Sequence, residues 1–244
     1  MEQKTFLGAC KTGDIVTLKY LDYSKINIHT NDEQAFLLAC INGQLNIIQF
    51  LLTLEPEYGR IDIHTGNEAA FRWACCNGHL DVVKYLISLE PEHGSIDIHA
   101  EDENAFQMTC YNGRLDIAKF LLKLKETHGR IDIHAEDDYA FQLAYLNDQF
   151  DVIEFLLTLG SEYGRIDIHV CNEEAFKYTN FHTRYLLIRY DPKYNWNNVE
   201  GYENYLNELN QIIDYLAILH QKIIQLRTDI LELNVIGIVK EFLL

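Results

Sequence analysis

Ala74-Cys75-Cys76-Asn77-Gly78-His79-Leu80-Asp81-Val82-Val83-Lys84-Tyr85-Leu86 contains the end of one helix, a turn and the start of another. Small residues close the first part. Asn77-Gly78 reverses the chain, and Gly accepts the left-handed backbone that ends a helix. Leu80, Val83, Leu86 and Ile87 then fall at helical spacing. The stretch is one copy of several. Ala35-Phe36 recurs as Ala70-Phe71, Ala105-Phe106, Ala140-Phe141 and Ala175-Phe176, each 35 residues after the last. Ile-Asp-Ile-His ends at His64, His99, His134 and His169 in the same register, and Gly59, Gly94, Gly129 and Gly164 close the units. Several residue types repeating together at one period mark a stacked repeat protein.

Each unit reads as two helices and a short extended link. The first helix is expected to start at Asp32, Asn67, Asp102, Asp137 or Asn172, which are good N-caps. Glu33, Glu68, Glu103, Asp138 and Glu173 follow, where negative charge suits the helix dipole. Pro56 and Pro91 are expected to stop two of the second helices. Phe6, Cys10 and Gly13 form a shorter first copy, 30 residues before Phe36, Cys40 and Gly43. Arg184-Tyr185-Leu186-Leu187 lies 100 residues after Lys84-Tyr85-Leu86-Ile87, so the last copy has lost residues between its helices. The copies span approximately 1–30, 31–65, 66–100, 101–135, 136–170 and 171–192, leaving 193–244 as a C-terminal helical segment.

The quoted stretch resembles the ankyrin pattern A-A-x-x-G-H-x-E-V-V-K-x-L-L. The usual Thr-Pro-Leu-His is absent, and Tyr139-Ala140-Phe141-Gln142 stands in its place. The link before the first helix is shorter than usual and the loop after the second is longer. The variant also resembles repeats of ankyrin proteins in giant viruses of the mimivirus type. The resemblance covers roughly residues 2–190. It implies an all-α, helix-turn-helix solenoid with about five to six repeats, shortened β-hairpin links and a helical C-terminal cap. It also implies a non-catalytic scaffold that recognises a host or viral protein through its concave face.

The 244 residues include 20 Lys and Arg against 37 Asp and Glu, a formal charge of −17. That balance argues against general nucleic-acid or anionic-membrane binding, which needs clustered cations. Many of the acids recur in repeat slots, so the charge is a weak pointer to a basic partner. Met1-Glu2-Gln3-Lys4-Thr5 has no apolar signal core, and no apolar run approaches the ~18 residues of a membrane span. A cytoplasmic, non-secreted protein is expected, in the host cytoplasm if viral.

His29, His64, His99, His134 and His169 share one slot, as a metal array would. Stacked units lie about 8–10 Å apart, too far for neighbouring rings to share a zinc at about 2 Å. A polar side chain bonding the backbone of the link is the better account. Cys10, Cys40, Cys75 and Cys110 share another slot and read as small core residues, while Cys76 and Cys171 fall off register. No nucleophile elbow or Gly-rich phosphate loop is present. No enzyme activity, cofactor or metal is expected.

Slots that vary between copies are read as free for recognition. They run Leu37, Arg72, Gln107, Gln142, Lys177; then Gln34, Ala69, Asn104, Tyr139, Glu174; then Ile41, Cys76, Tyr111, Leu146; and, on the turn, Gln44, His79, Arg114, Gln149. Arg72, Gln107, Tyr111, Arg114, Tyr139, Gln142 and His79 are the partner-binding candidates. Trp73, sharing a slot with Leu38, Met108 and Leu143, is read as core.

Pro192 stops the last repeat helix. Leu206, Leu209, Ile213, Leu216, Ile223 and Leu226 predict an amphipathic helix over 202–226, and Thr228-Asp229 would cap a further helix over 230–244. This segment reads as a cap. Two alternatives are a docking pair that recruits another copy or a second partner, and an F-box-like motif at 233–243 that recruits a ubiquitin ligase component. A monomer is expected, with a dimer through these helices as the variant reading.

Overall fold

The computed structural model describes residues 2–242, with side chains at 2–169 and 173–228. It forms two compact units, Met1–Leu186 and Leu187–Leu244.

The first unit is an all-α stack. Its opening pair of helices is Glu2–Thr12 and Ile15–Tyr20. The following pairs are Thr30–Ile41 with Leu45–Leu52, Thr65–Asn77 with Leu80–Ser88, Ala100–Tyr111 with Leu115–Lys123, and Ala135–Leu146 with Phe150–Thr158. A last pair is Val170–Lys177 and Phe181–Tyr190; the connection expected to be shortened, 178–180, is as long as 112–114 and 147–149, and it is the first helix that is short, at 8 residues against 12 in the two copies before it. Successive first helices lie directly against one another and make one layer; the second helices make the other. The first-helix contact is close because small residues line it: Ala39, Ala74, Ala144, Cys10, Cys40, Cys75 and Cys110 are fully buried. Phe6, Phe36, Phe71, Phe106, Phe141 and Phe176 fill the same place in each copy and are equally buried. Truncating such a ring costs about 3–5 kcal/mol, so each Phe is a large part of its unit's stability.

Four further sequence expectations change. Asp32, Asn67, Asp102 and Asp137 do not cap the first helix. Each sits mid-way in a three-residue left-handed turn, with φ of 52°, 53°, 52° and 57°. Glu33, Glu68, Glu103 and Asp138 complete that turn with φ of 61–65°, and the right-handed helix begins only after them. Asn and Asp tolerate this region better than other residues with a Cβ. The side chain of Asn172 lies outside the described residues.

The long loop after each second helix is not a plain loop. Glu55–Tyr58, Glu90–His93, Lys125–His128 and Gly160–Tyr163 each form one further helical turn. Pro56 and Pro91 open two of these turns, where a missing N–H costs nothing. Gly59, Gly94, Gly129 and Gly164 end them at φ of 91–101° with ψ near 160°, a conformation essentially restricted to Gly.

In the third repeat, Trp73 is not core. The residue is 47% exposed, although Leu143 in the corresponding slot is buried. In the second unit there is no break at Thr228-Asp229: one helix runs Tyr202–Phe242. Trp196, Val199 and Tyr205 are buried near its start, and the Trp196 indole donates to the Asp191 carbonyl at 3.0 Å. The side chains of 233–243, the stretch of the F-box-like alternative, lie outside the described residues.

Candidate interaction surface

The link between repeats is held by a repeated polar staple. Asp62 Oδ1 accepts the His64 N–H at 3.0 Å and turns the chain, as Asp97, Asp132 and Asp167 do in later copies. This aims the imidazole back into the stack. His64 Nδ1 lies 2.8 Å from Glu68 Oε1, while His64 Nε2 lies 2.9 Å from the His93 carbonyl oxygen. His29 pairs with Glu33 and the Tyr58 carbonyl in the same way, His99 with Glu103 and the His128 carbonyl, and His134 with Asp138 and the Tyr163 carbonyl. The carboxylates also accept the N–H of the following link: Glu33 from Asp62, Glu68 from Asp97, Glu103 from Asp132 and Asp138 from Asp167.

Both ring nitrogens of each His therefore face an acceptor, which only the protonated imidazolium satisfies twice. Burial works against that charge, but the carboxylate and carbonyl bonds outweigh it. The pKa values of His29, His64, His99 and His134 are raised above the ordinary value. Each ring is spent on the link, as the structural reading of this slot required. Among the described residues, no group of three His, Cys, Asp or Glu is disposed to hold a metal.

Four of the five described thiols are buried, and Cys76 is partly so. Burial pushes Cys10 up to about 12, and Cys40, Cys75 and Cys110 higher still. Burial also raises Cys76, against the opposing effects of Arg114 and the Asn112 amide, which donates to its sulfur at 3.3 Å. Reactive thiols need the opposite shift. The Cys171 side chain lies outside the described residues.

The partner-binding candidates separate into two kinds. Arg72 donates to the carbonyls of Asn67 at 2.8 Å and Gly66 at 3.1 Å, and to Asn104 Oδ1 of the next repeat at 3.0 Å. Gln107 donates to the Asp102 carbonyl and to Glu136, and is only 4% exposed. Gln142 donates to the Asp137 carbonyl at 2.7 Å. All three reach the carbonyl five residues back, inside the left-handed turn. His79 Nε2 reaches the Ile41 carbonyl at 3.0 Å, and the Arg114 guanidinium lies over Gly78 with Nε 3.5 Å from the Cys76 carbonyl. These five side chains join one repeat to its neighbour or brace their own turn.

Tyr111 and Tyr139 are different, at 39% and 36% exposed. They share a face with Trp73 and Leu146, and with Tyr178 just past the end of its helix. Slots 69, 73 and 76 are spaced i, i+4, i+7, so they point the same way. Across the copies that face carries Trp73, Tyr111, Tyr139, Leu146 and Tyr178, the last two 53% and 69% exposed. The signal was available in the i+4 spacing of Trp73 from Ala69 and Tyr178 from Glu174.

Paired helices stacked layer on layer, each unit touching its neighbours, define a helical repeat protein. Residues 6–102 match the family model for ankyrin repeats (3 copies). The units after residue 102 keep the same helix order, so the fold is an ankyrin-type solenoid with a helical C-terminal region. No curated protein matches the chain. Ankyrin repeats are generally protein–protein interaction modules and are typically not enzymes. Among the described residues, no helix is long and apolar enough to cross a membrane.

Proposed function

We propose that the chain is a non-catalytic scaffold that recognises a partner protein through the exposed face of its first helices, the concave face expected from the sequence. The observation that supports this is the row of Trp73, Tyr111, Tyr139, Leu146 and Tyr178, large side chains left in solvent on adjoining helices or, for Tyr178, at a helix end. Trp and Tyr dominate interface energetics because they bury large area at low entropic cost. The polar candidates in the neighbouring slot support the face indirectly, by fixing the turns on which it rests. The resemblance to giant-virus repeats suggests a host or viral partner in the cytoplasm. The test is affinity capture with full-length protein carrying Trp73→Ala and Tyr111→Ala. Loss of a partner that the wild type retains, with helicity unchanged, is expected; undiminished capture puts the site elsewhere.

A second reading, self-association through the C-terminal helix, is supported by one observation. Leu209, Ile212, Leu216, Leu219, Ile223 and Leu226 alternate spacings of three and four, the heptad seam of a coiled coil. From Ile212 onward these side chains are exposed. Light scattering on full-length protein, with Leu216→Asp and Ile223→Asp as controls, is expected to give a dimer that the variants lose. A wild-type monomer at tens of micromolar rejects this reading.

A further inference from the structure

The repeats differ at one place where the chain elsewhere supplies its own ligand. In the third repeat, Arg72 runs along the left-handed turn and is held by two backbone carbonyls and Asn104. One period earlier, the corresponding residues are Leu37 for Arg72, Asn31 and Asp32 for Gly66 and Asn67, and Ala69 for Asn104. Leu37 has no donor to offer the turn, and Ala69 does not reach across from the next repeat. Gly66 removes one more side chain from the same edge.

A cleft of about 220 Å³ opens at this position. Asp32, Glu33, Leu37, Asp62, Gly66 and Ala69 are among the residues that line it. Neither Lys nor Arg lines it, whereas Asp32, Glu33 and Asp62 all do. Glu33 is 8% exposed, and its Oε2 is buried without a hydrogen-bond donor, while Oε1 carries both the His29 and Asp62 bonds. Glu68 and Glu103 carry the same buried, unpaired Oε2, so what distinguishes the second repeat is Leu37, which offers the turn no donor where Arg72 and Gln107 do. The volume falls below the roughly 300–1,000 Å³ of small-molecule sites. It suits one side chain.

We propose that this cleft binds an arginine side chain of a partner protein, with the guanidinium donating to the Asn31 and Asp32 carbonyls and facing the Asp32 and Asp62 carboxylates. The aliphatic stem lies over Leu37 and Phe36, which line the apolar part of the cleft. The internal precedent is Arg72. It selects guanidinium over ammonium because its contacts need several donors in one plane, and a Lys head group is a single point of charge. The inference deepens the scaffold reading by naming a chemistry the partner carries. It is tested without the partner, so either can fail alone.

The experiment titrates isotope-labelled full-length protein with N-acetyl-arginine N-methylamide, followed by backbone amide shifts. Saturable shifts at Asn31, Asp32, Thr65 and Gly66 are expected, with a midpoint near the millimolar range. Leu37→Arg places the chain's own guanidinium in the cleft and is expected to weaken the response at least tenfold. Leu37→Gln copies the residue type of Gln107 and Gln142, should weaken it similarly, and serves if the Arg variant does not fold. Absence of saturable shifts overturns the proposal. So do shifts that persist in the folded variants, or an equal response to the matching lysine amide.

Discussion

His64 Nδ1 and Glu68 Oε1 are 2.8 Å apart, and the same oxygen accepts the Asp97 N–H from the next link at 3.1 Å. One carboxylate thus ties the start of its own helix to a link 29 residues further on. The chain builds this staple at His29, His64, His99 and His134. In a stack where each unit touches only its neighbours, such contacts set the coupling between repeats.

Stability is expected to fall as pH rises. The folded-state pKa values of His29, His64, His99 and His134 lie above the ordinary value near 6.5. Their contribution is therefore whole below about pH 6.5 and is lost as pH climbs through the raised values. Urea unfolding at pH 6.0 and pH 8.5 should give a lower midpoint at the higher pH, with little change in slope. A midpoint that rises with pH contradicts the imidazolium assignment.

Glu68→Ala should destabilise by about 2–3 kcal/mol, because it strands the buried side of the His64 ring and the Asp97 N–H. Adding His64→Ala should cost less than His64→Ala does alone. The ring is about a third exposed, so solvent holds the coupling near 1 kcal/mol rather than the several expected of a dry pair. A double-mutant cycle measures that term, and strict additivity would mean the two residues do not cooperate.

The helix pairs were legible in the sequence because apolar spacing, Asn-Gly turns and small residues at the stacking interface all repeat in register. The left-handed turns were not. Asp32 and Asp102 have good N-cap chemistry, and only the i, i+4 spacing of His and acid, as in His99 and Glu103, hinted at a different use. The variable slot was misleading for another reason. Arg72, Gln107 and Gln142 look interchangeable by drift, yet each supplies the same N–H donor to the carbonyl five residues back. Variation in name hid constancy in chemistry. Trp73 shares its slot with the buried Leu143, yet its larger indole stays about half exposed.

Gly94→Ala should destabilise by about 1–3 kcal/mol, since φ of 101° strains any residue with a Cβ. The new Cβ would also lie 3.3 Å from His64 Nε2, pressing on the staple. Gly8→Ala is the contrast: it lies inside Glu2–Thr12, and a Cβ there meets nothing within 4 Å. Helix propensity then favours Ala by about 1 kcal/mol. Thermal unfolding should move in opposite directions for the two variants, and a shared direction would show that backbone conformation is not what the repeated Gly supplies.

Trp73→Ala and Phe71→Ala separate recognition from folding within three residues of one helix. Phe71 is fully buried, and its truncation should cost about 3–5 kcal/mol. Trp73 is 47% exposed, so its loss removes only part of a ring from packing and should cost about 1–2 kcal/mol, well below Phe71. If the first-helix face is the recognition surface, Trp73→Ala should nonetheless weaken partner binding by at least tenfold, or about 1.4 kcal/mol. Denaturant melts and binding isotherms on the same preparations make the comparison direct. A Trp73→Ala protein that melts early but binds normally would assign the ring to packing and remove it from the interface.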